Sequence, residues 1–119
     1  MNIGVSGRFG EDKAAEYLRK KGYKIIQRNF SCRSGEIDII AEKDEYLVFA
    51  EVKLRKNDRY GEAREFVTYG KRQKIIRTAS LYLRQYDKEK QPRFDVIEVY
   101  APNGIFAPVK INHLENAFM

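Results

Sequence analysis

Two carboxylates and a lysine stand on adjoining segments of this chain at a spacing that suits metal-assisted phosphodiester hydrolysis. Asp38 lies in the run G-E-I-D-I-I-A, Gly35 to Ala41, and Glu51 and Lys53 lie in F-A-E-V-K, Phe49 to Lys53. Glu42 to Tyr46 lie in the connection between the two runs. If the turn is even and centred on Asp44 and Glu45, Glu42 faces Leu47 and Asp38 faces Glu51. Side chains directly opposed on one face of a hairpin have Cβ atoms roughly 5 Å apart, where two carboxylates repel. A dication removes that conflict. Magnesium prefers oxygen ligands at about 2.0–2.1 Å and is content with one or two carboxylates plus water and phosphate. The backbone carbonyl of Val52, between Glu51 and Lys53, is a third candidate oxygen. An odd turn would place Asp38 and Glu51 on opposite faces and dissolve the site, and the sequence leaves both registers open. The plain alternative is a solvated acidic face on an amphipathic hairpin.

Lys53 points the same way as Glu51 because the two are two residues apart on a strand. There it would orient water and neutralise charge on a pentavalent phosphoryl transition state, or else form a salt bridge to Glu51 or Asp38. Glu11 is the fourth candidate. It would join the outer shell of the metal through water, or serve as an N-terminal carboxylate favoured by the helix dipole.

The elements that must hold these groups can be read in order. Ser6 to Lys21 reads as a helix that Ser6 caps and Gly22 ends, with Ala14, Tyr17 and Leu18 as its apolar stripe. Glu11 lies on that stripe, and Glu16 points away. Tyr23 to Asn29 reads as a strand, and Ser31 to Ser34 as a turn. In the next strand Ile37, Ile39 and Ala41 share one face and Glu36, Asp38 and Ile40 the other. Leu47 to Lys53 is the third strand. Leu54 to Gly70 lacks a clear period, and Lys71 to Tyr86 is a second helix with a wide apolar stripe. Arg93 to Tyr100 and Ile105 to Ile111 read as two further strands around a Pro102–Gly104 turn. Helices against a sheet are the natural closure.

Positive charge borders the candidate site. From Lys53 to Arg77 there are nine Lys or Arg against three acids, Asp58, Glu62 and Glu65. Arg55, Lys56, Arg59, Lys71, Arg72 and Lys74 are the expected phosphate contacts, which give affinity without reading sequence. Lys71, one turn before Ile75, either faces the site or snorkels to the surface. Tyr60, Phe66 and Tyr69 would stack bases or cover core. The net charge of +6 over 119 residues suits a polyanionic partner, DNA above all. A length of 119 residues sets the expectation of one domain, 1–119. One cysteine, Cys32, excludes an internal disulfide and, with one histidine, His113, argues against zinc. Both read as incidental. No apolar run approaches the ~20 residues of a membrane helix and no signal peptide is evident, so a cytoplasmic protein with no membrane partner is expected.

The G-E-I-D-I-I-A and F-A-E-V-K runs, with Gly7, Gly10 and Glu11 ahead and R-F-D-V-I (Arg93 to Ile97) behind, resemble the small bacterial YraN-like family across essentially the whole chain. That pattern is similar in turn to the PD-(D/E)XK nuclease superfamily, most closely to archaeal-type Holliday-junction resolvases. The resemblance implies an α/β, restriction endonuclease-like αβββαβ core, with a mixed central sheet flanked by helices. It also implies magnesium, with manganese as a substitute, and a homodimer. It carries the metal-binding acid onto Asp38, the second acid onto Glu51, the catalytic lysine onto Lys53 and the first-helix glutamate onto Glu11. Ile37 stands where the superfamily's name calls for proline, a residue that shapes backbone and supplies no ligand. The expectation is a magnesium-dependent DNA endonuclease, on branched or junction DNA by resemblance alone. Its rival is a non-catalytic nucleic-acid-binding or partner-docking module that keeps the fold, and docking to RNA is a third reading.

Overall fold

The computed structural model describes residues 7–55, 67–104 and 106–118. Helix α1 is Gly7–Lys20, followed by strands β1, Lys24–Cys32, β2, Gly35–Lys43, and β3, Tyr46–Arg55. Helix α2 is Tyr69–Leu83, and strands β4, Gln91–Tyr100, and β5, Lys110–Phe118, complete the order. The strands form one sheet in the order β1-β2-β3-β4-β5. Every neighbouring pair is antiparallel except β3 and β4, which run parallel. A parallel neighbour needs a crossover, and α2 provides it.

Each helix covers one face. Ala14, Ala15 and Leu18 of α1 pack with Ile39, Ala41, Val48, Ala50, Ile97 and Val99. Ile75, Ala79 and Tyr82 of α2 pack with Ile40, Leu47, Phe49, Phe94 and Val96. Because β4 is covered on both faces, every residue from Phe94 to Tyr100 is buried. Helix α1 stops where Gly22 enters the left-handed region (φ 94°), with Tyr23 N–H on Leu18 C=O and Gly22 N–H on Arg19 C=O. That double bond is the Schellman closure, which glycine makes without strain. The expected Ser6 cap lies outside the described residues.

Three expectations change. Strand β1 continues through Cys32, so the turn to β2 is only Arg33 and Ser34. The fifth strand is Lys110–Phe118 rather than Ile105 to Ile111. Pairing with β4 starts at Tyr100↔Lys110, after a loop containing Pro108, which has no N–H to give a ladder. The third change matters for the site. Ile37 packs on the α2 side with Ile40, whereas Ile39 and Ala41 pack on the α1 side. On β1, Arg28 likewise turns to α1 and Phe30 to Tyr82 of α2. Residues two apart should share a face. Here both strands change face at one step, Asn29 beside Asp38, and Asn29 has a left-handed φ of 54°.

Candidate functional site

The even hairpin is the one formed. Glu42 pairs with Leu47 and Lys43 with Tyr46, leaving Asp44 and Glu45 as the turn. The β2–β3 ladder runs to Ile39↔Ala50, one step short of Asp38 and Glu51. Beyond that step the Asp38 carboxylate takes over from the backbone, its Oδ2 accepting the Val52 N–H at 2.8 Å. A strand residue turns its N–H and C=O toward the same neighbour, so the Val52 carbonyl also faces the Asp38 side.

Burial pushes the Asp38 carboxyl up to about 7, and the charge of Glu51 pushes in the same direction. The Val52 N–H works against both, while Glu11 and Glu36 add smaller repulsions. Glu51 is buried, with Lys71 Nζ at 2.6 Å and Lys53 Nζ at 3.9 Å from its Oε2. Desolvation disfavours charge on Lys71, yet Glu51, with Asp38 behind it, raises its pKa above the ordinary lysine value. Lys71 reaches Glu51 because Thr68 caps α2, its Oγ1 accepting the Lys71 N–H at 3.2 Å. The positive end of α2 therefore opens beside two carboxylates.

Two recesses meet at Asp38. One, of about 460 Å³, lies toward α2 and is lined by Gly35, Glu36, Asp38, Glu51, Thr68, Gly70, Lys71, Lys74 and Ile75. The other, of about 540 Å³, lies toward α1 and is lined by Gly7, Arg8, Glu11, Asp12, Arg28, Asn29, Glu36, Asp38 and Val52. Glu11 is buried on the α1 side, where its Oε1 accepts from Arg28 Nε at 2.7 Å and Asn29 Nδ2 at 3.0 Å. Glu11 is thus engaged by its own partners, apart from the Lys71–Glu51–Lys53 group. Among the described residues, no three carboxylate, imidazole or thiol side chains are placed to hold one metal ion together.

Two carboxylates and a carbonyl nevertheless suit magnesium, whose remaining positions water and phosphate ordinarily fill. A half-buried carboxyl lifted to about 7 by desolvation and then by its neighbour's charge is a conflict that a dication relieves. Asp38, Glu51 and Val52 O are the groups that can hold one.

Residues 10–99 match a family described as "Uncharacterised protein family UPF0102". The chain belongs to the UPF0102 family. A UPF0102 protein of Caldanaerobacter subterraneus subsp. tengcongensis is 47% identical over 99% of this chain and 98% of its own. One from Clostridioides difficile is 44% identical over 99% and 100%. A third, from Persephonella marina, is 47% identical over 96% and 93%. UPF0102 is the YraN-like group, with the PD-(D/E)XK nuclease-like pattern of strands and acids.

The structure divides the expected phosphate contacts of this UPF0102 chain. Lys71 and Lys74 line the α2-side recess, and Arg72 follows on the same helical turn, half-buried. Arg55 is instead turned inward, its Nη2 3.2 Å from Oε2 of fully buried Glu98. Tyr100 and Asn112 bond the other oxygen of Glu98. A guanidinium committed to a buried acid is a poor phosphate contact, so Arg55 leaves the surface set. Lys56 and Arg59, with Tyr60 and Phe66, lie outside the described residues. Tyr69 is exposed and covers no core.

Sequence reasoning missed Arg28, Asn29, Glu36 and Thr68. Asn29 carried a usable signal, since asparagine is enriched at left-handed positions. His113 is not incidental. Its Nε2 meets Asp95 Oδ2 at 2.6 Å, and Tyr17 OH lies 3.0 Å from its Nδ1. Arg93 completes a fork on Asp95, at 2.9 and 2.8 Å. Burial disfavours ionised Asp95, but His113, Arg93 and the Asn116 N–H together hold its pKa below the usual carboxylate value. No helix among the described residues is long and apolar enough to cross a membrane.

Proposed function

We propose that this UPF0102 chain is a magnesium-dependent DNA endonuclease that hydrolyses phosphodiesters at the Asp38–Glu51 site. The supporting observation is the half-buried Asp38 carboxyl, lifted to about 7 beside buried Glu51, at the step where β2 and β3 stop pairing. When bound, magnesium would polarise a phosphoryl oxygen and bring water to its attacking position. The chain's own groups account for the rest. Asp38, Glu51 and the Val52 carbonyl supply hard oxygens. Lys53 and Lys71 present two ammonium groups beside Glu51, suited to the charge that builds on phosphoryl oxygens as one P–O bond forms and another breaks. Lys74 and the capped start of α2 offer donors to a neighbouring phosphate.

One observation favours a non-catalytic nucleic-acid-binding module instead: Lys71 already satisfies Glu51 at 2.6 Å. A single experiment separates the readings. Linear, flap and four-way DNA are incubated with magnesium or manganese, using wild type, Asp38→Asn, Glu51→Gln and Lys53→Met. Metal-dependent cleavage by wild type alone is expected. Cleavage surviving in all three variants, or none by wild type despite DNA binding, overturns the enzyme reading.

A further inference from the structure

Among the described residues, three besides glycine have left-handed φ: Asn29 (54°), Asp44 (55°) and Asn116 (52°). Asp44 is in the β2–β3 turn, where such a backbone is ordinary. Asn116 lies on β5 near the point where the β4–β5 register slips. Asn29 is different. It sits inside β1 with unshifted pairing on either side, Arg28↔Ile39 and Phe30↔Ile37, and the β1 bulge is elsewhere, between Ile25 and Gln27. Neither turn nor bulge calls for its conformation. Such outliers persist only where surrounding contacts impose them, and they concentrate at functional sites.

The contact is on the page. Asn29 Nδ2 donates to Glu11 Oε1 at 3.0 Å, and Arg28 Nε donates to the same oxygen at 2.7 Å. Glu11 is buried on α1, which is anchored to the sheet through Ala14, Ala15 and Leu18. With Arg28 drawn to α1 and Phe30 packed on Tyr82, the chain must rotate between them, and Asn29 takes up that rotation. Its neighbour on β2 rotates too, since Ile37 and Ile39 lie on opposite faces. The residue at that step is Asp38, whose carboxylate reaches the Val52 N–H at 2.8 Å.

We propose that Asn29 is a positioning residue: its side chain ties Glu11 to the left-handed step in β1 and so aims Asp38 at β3. Glu11 then acts through Asn29, as the anchor of a strut rather than as a ligand. Glycine at this position would keep the conformation and lose the strut, so Asn29 is chosen for its amide as well as its backbone. The consequence for metal affinity rests on the reading in the preceding subsection. The geometric claim does not.

The test uses wild type, Asn29→Gly, Glu11→Ala and the double variant. Two quantities are read: the Val52 amide resonance, which reports the Asp38 contact, and Mn²⁺ affinity by calorimetry. Asn29→Gly is expected to shift the Val52 resonance and to weaken Mn²⁺ binding by roughly tenfold to a hundredfold, as loss of outer-shell support does elsewhere. Glu11→Ala should do the same, and the double variant no more than either single one, because the two form one unit. Should Asn29→Gly fail to fold, Asn29→Asp, which tolerates the left-handed backbone but has no amide donor, takes its place. An unmoved Val52 resonance in these variants overturns the proposal, as does full additivity of Asn29→Gly and Glu11→Ala. If wild type binds no Mn²⁺, the metal reading fails, and the Val52 resonance alone still decides the role of Asn29.

Discussion

The residue that governs the chemistry of this site is Asp38, because it is a carboxyl held against its own ionisation. Its folded pKa is about 7, against 3.8 for an unperturbed aspartate. Folding therefore favours the protonated form. That contribution to stability is fully present below about pH 4 and disappears as pH rises through 7. Asp38→Asn removes the conflict and is expected to melt at a higher temperature than wild type at pH 8 in EDTA. Near pH 4 the two should converge. Thermal melts across that range check it, and a wild-type advantage at pH 8 would contradict the assigned cause. If magnesium binds as proposed, it takes the ionised form, and its affinity should climb over the same interval. The even β2–β3 hairpin was one of two registers the sequence allowed, and the structure forms it from Lys43↔Tyr46 to Ile39↔Ala50, which brings Asp38 and Glu51 to the first step beyond the ladder. The ties of Glu11 to Arg28 and Asn29 were not legible, since they depend on how a helix docks across two strands.

At the scale of elements, the start of α2 links surface charge to buried Glu51. Thr68 holds the first turn by accepting the Lys71 N–H, and Lys71 is the residue that reaches Glu51. Thr68→Ala is expected to cost about 1 kcal/mol, a typical value for a lost N-cap, measured by urea unfolding. It should also loosen Lys71 and, if the chain binds DNA through Lys71 as proposed, reduce the salt dependence of that binding. Both helices and the first four strands could be read from periodicity and glycine placement. The fifth strand was displaced because Ile105 to Ile111 has strand-like composition, while the ladder depends on partners along β4. Composition also misassigned Arg55. A cationic stretch looks solvent-facing until a buried acid, Glu98, is found on the adjoining strand.

For the molecule as a whole, the polar interior beneath α1 is a larger liability than the candidate site. Asp95 is fully buried and joins α1, β4 and β5 through Tyr17, His113, Arg93 and Asn116. Asp95→Ala would leave Arg93 and His113 without their acid, and removing one partner of such a pair typically costs roughly 3–5 kcal/mol. Denaturant unfolding should register a loss of that order. The strand order carries one more consequence. A chain leaving the ribosome completes the β1–β2–β3 meander, with both candidate acids in it, before β4 has been made. Until residues 91–100 emerge, the outer side of β3 is a bare edge running through Leu47, Val48 and Phe49. Stalled or truncated copies of this protein should therefore stick to one another through that edge. Synthesis past Tyr100 closes it, and nascent chains halted before that point should be found in aggregates.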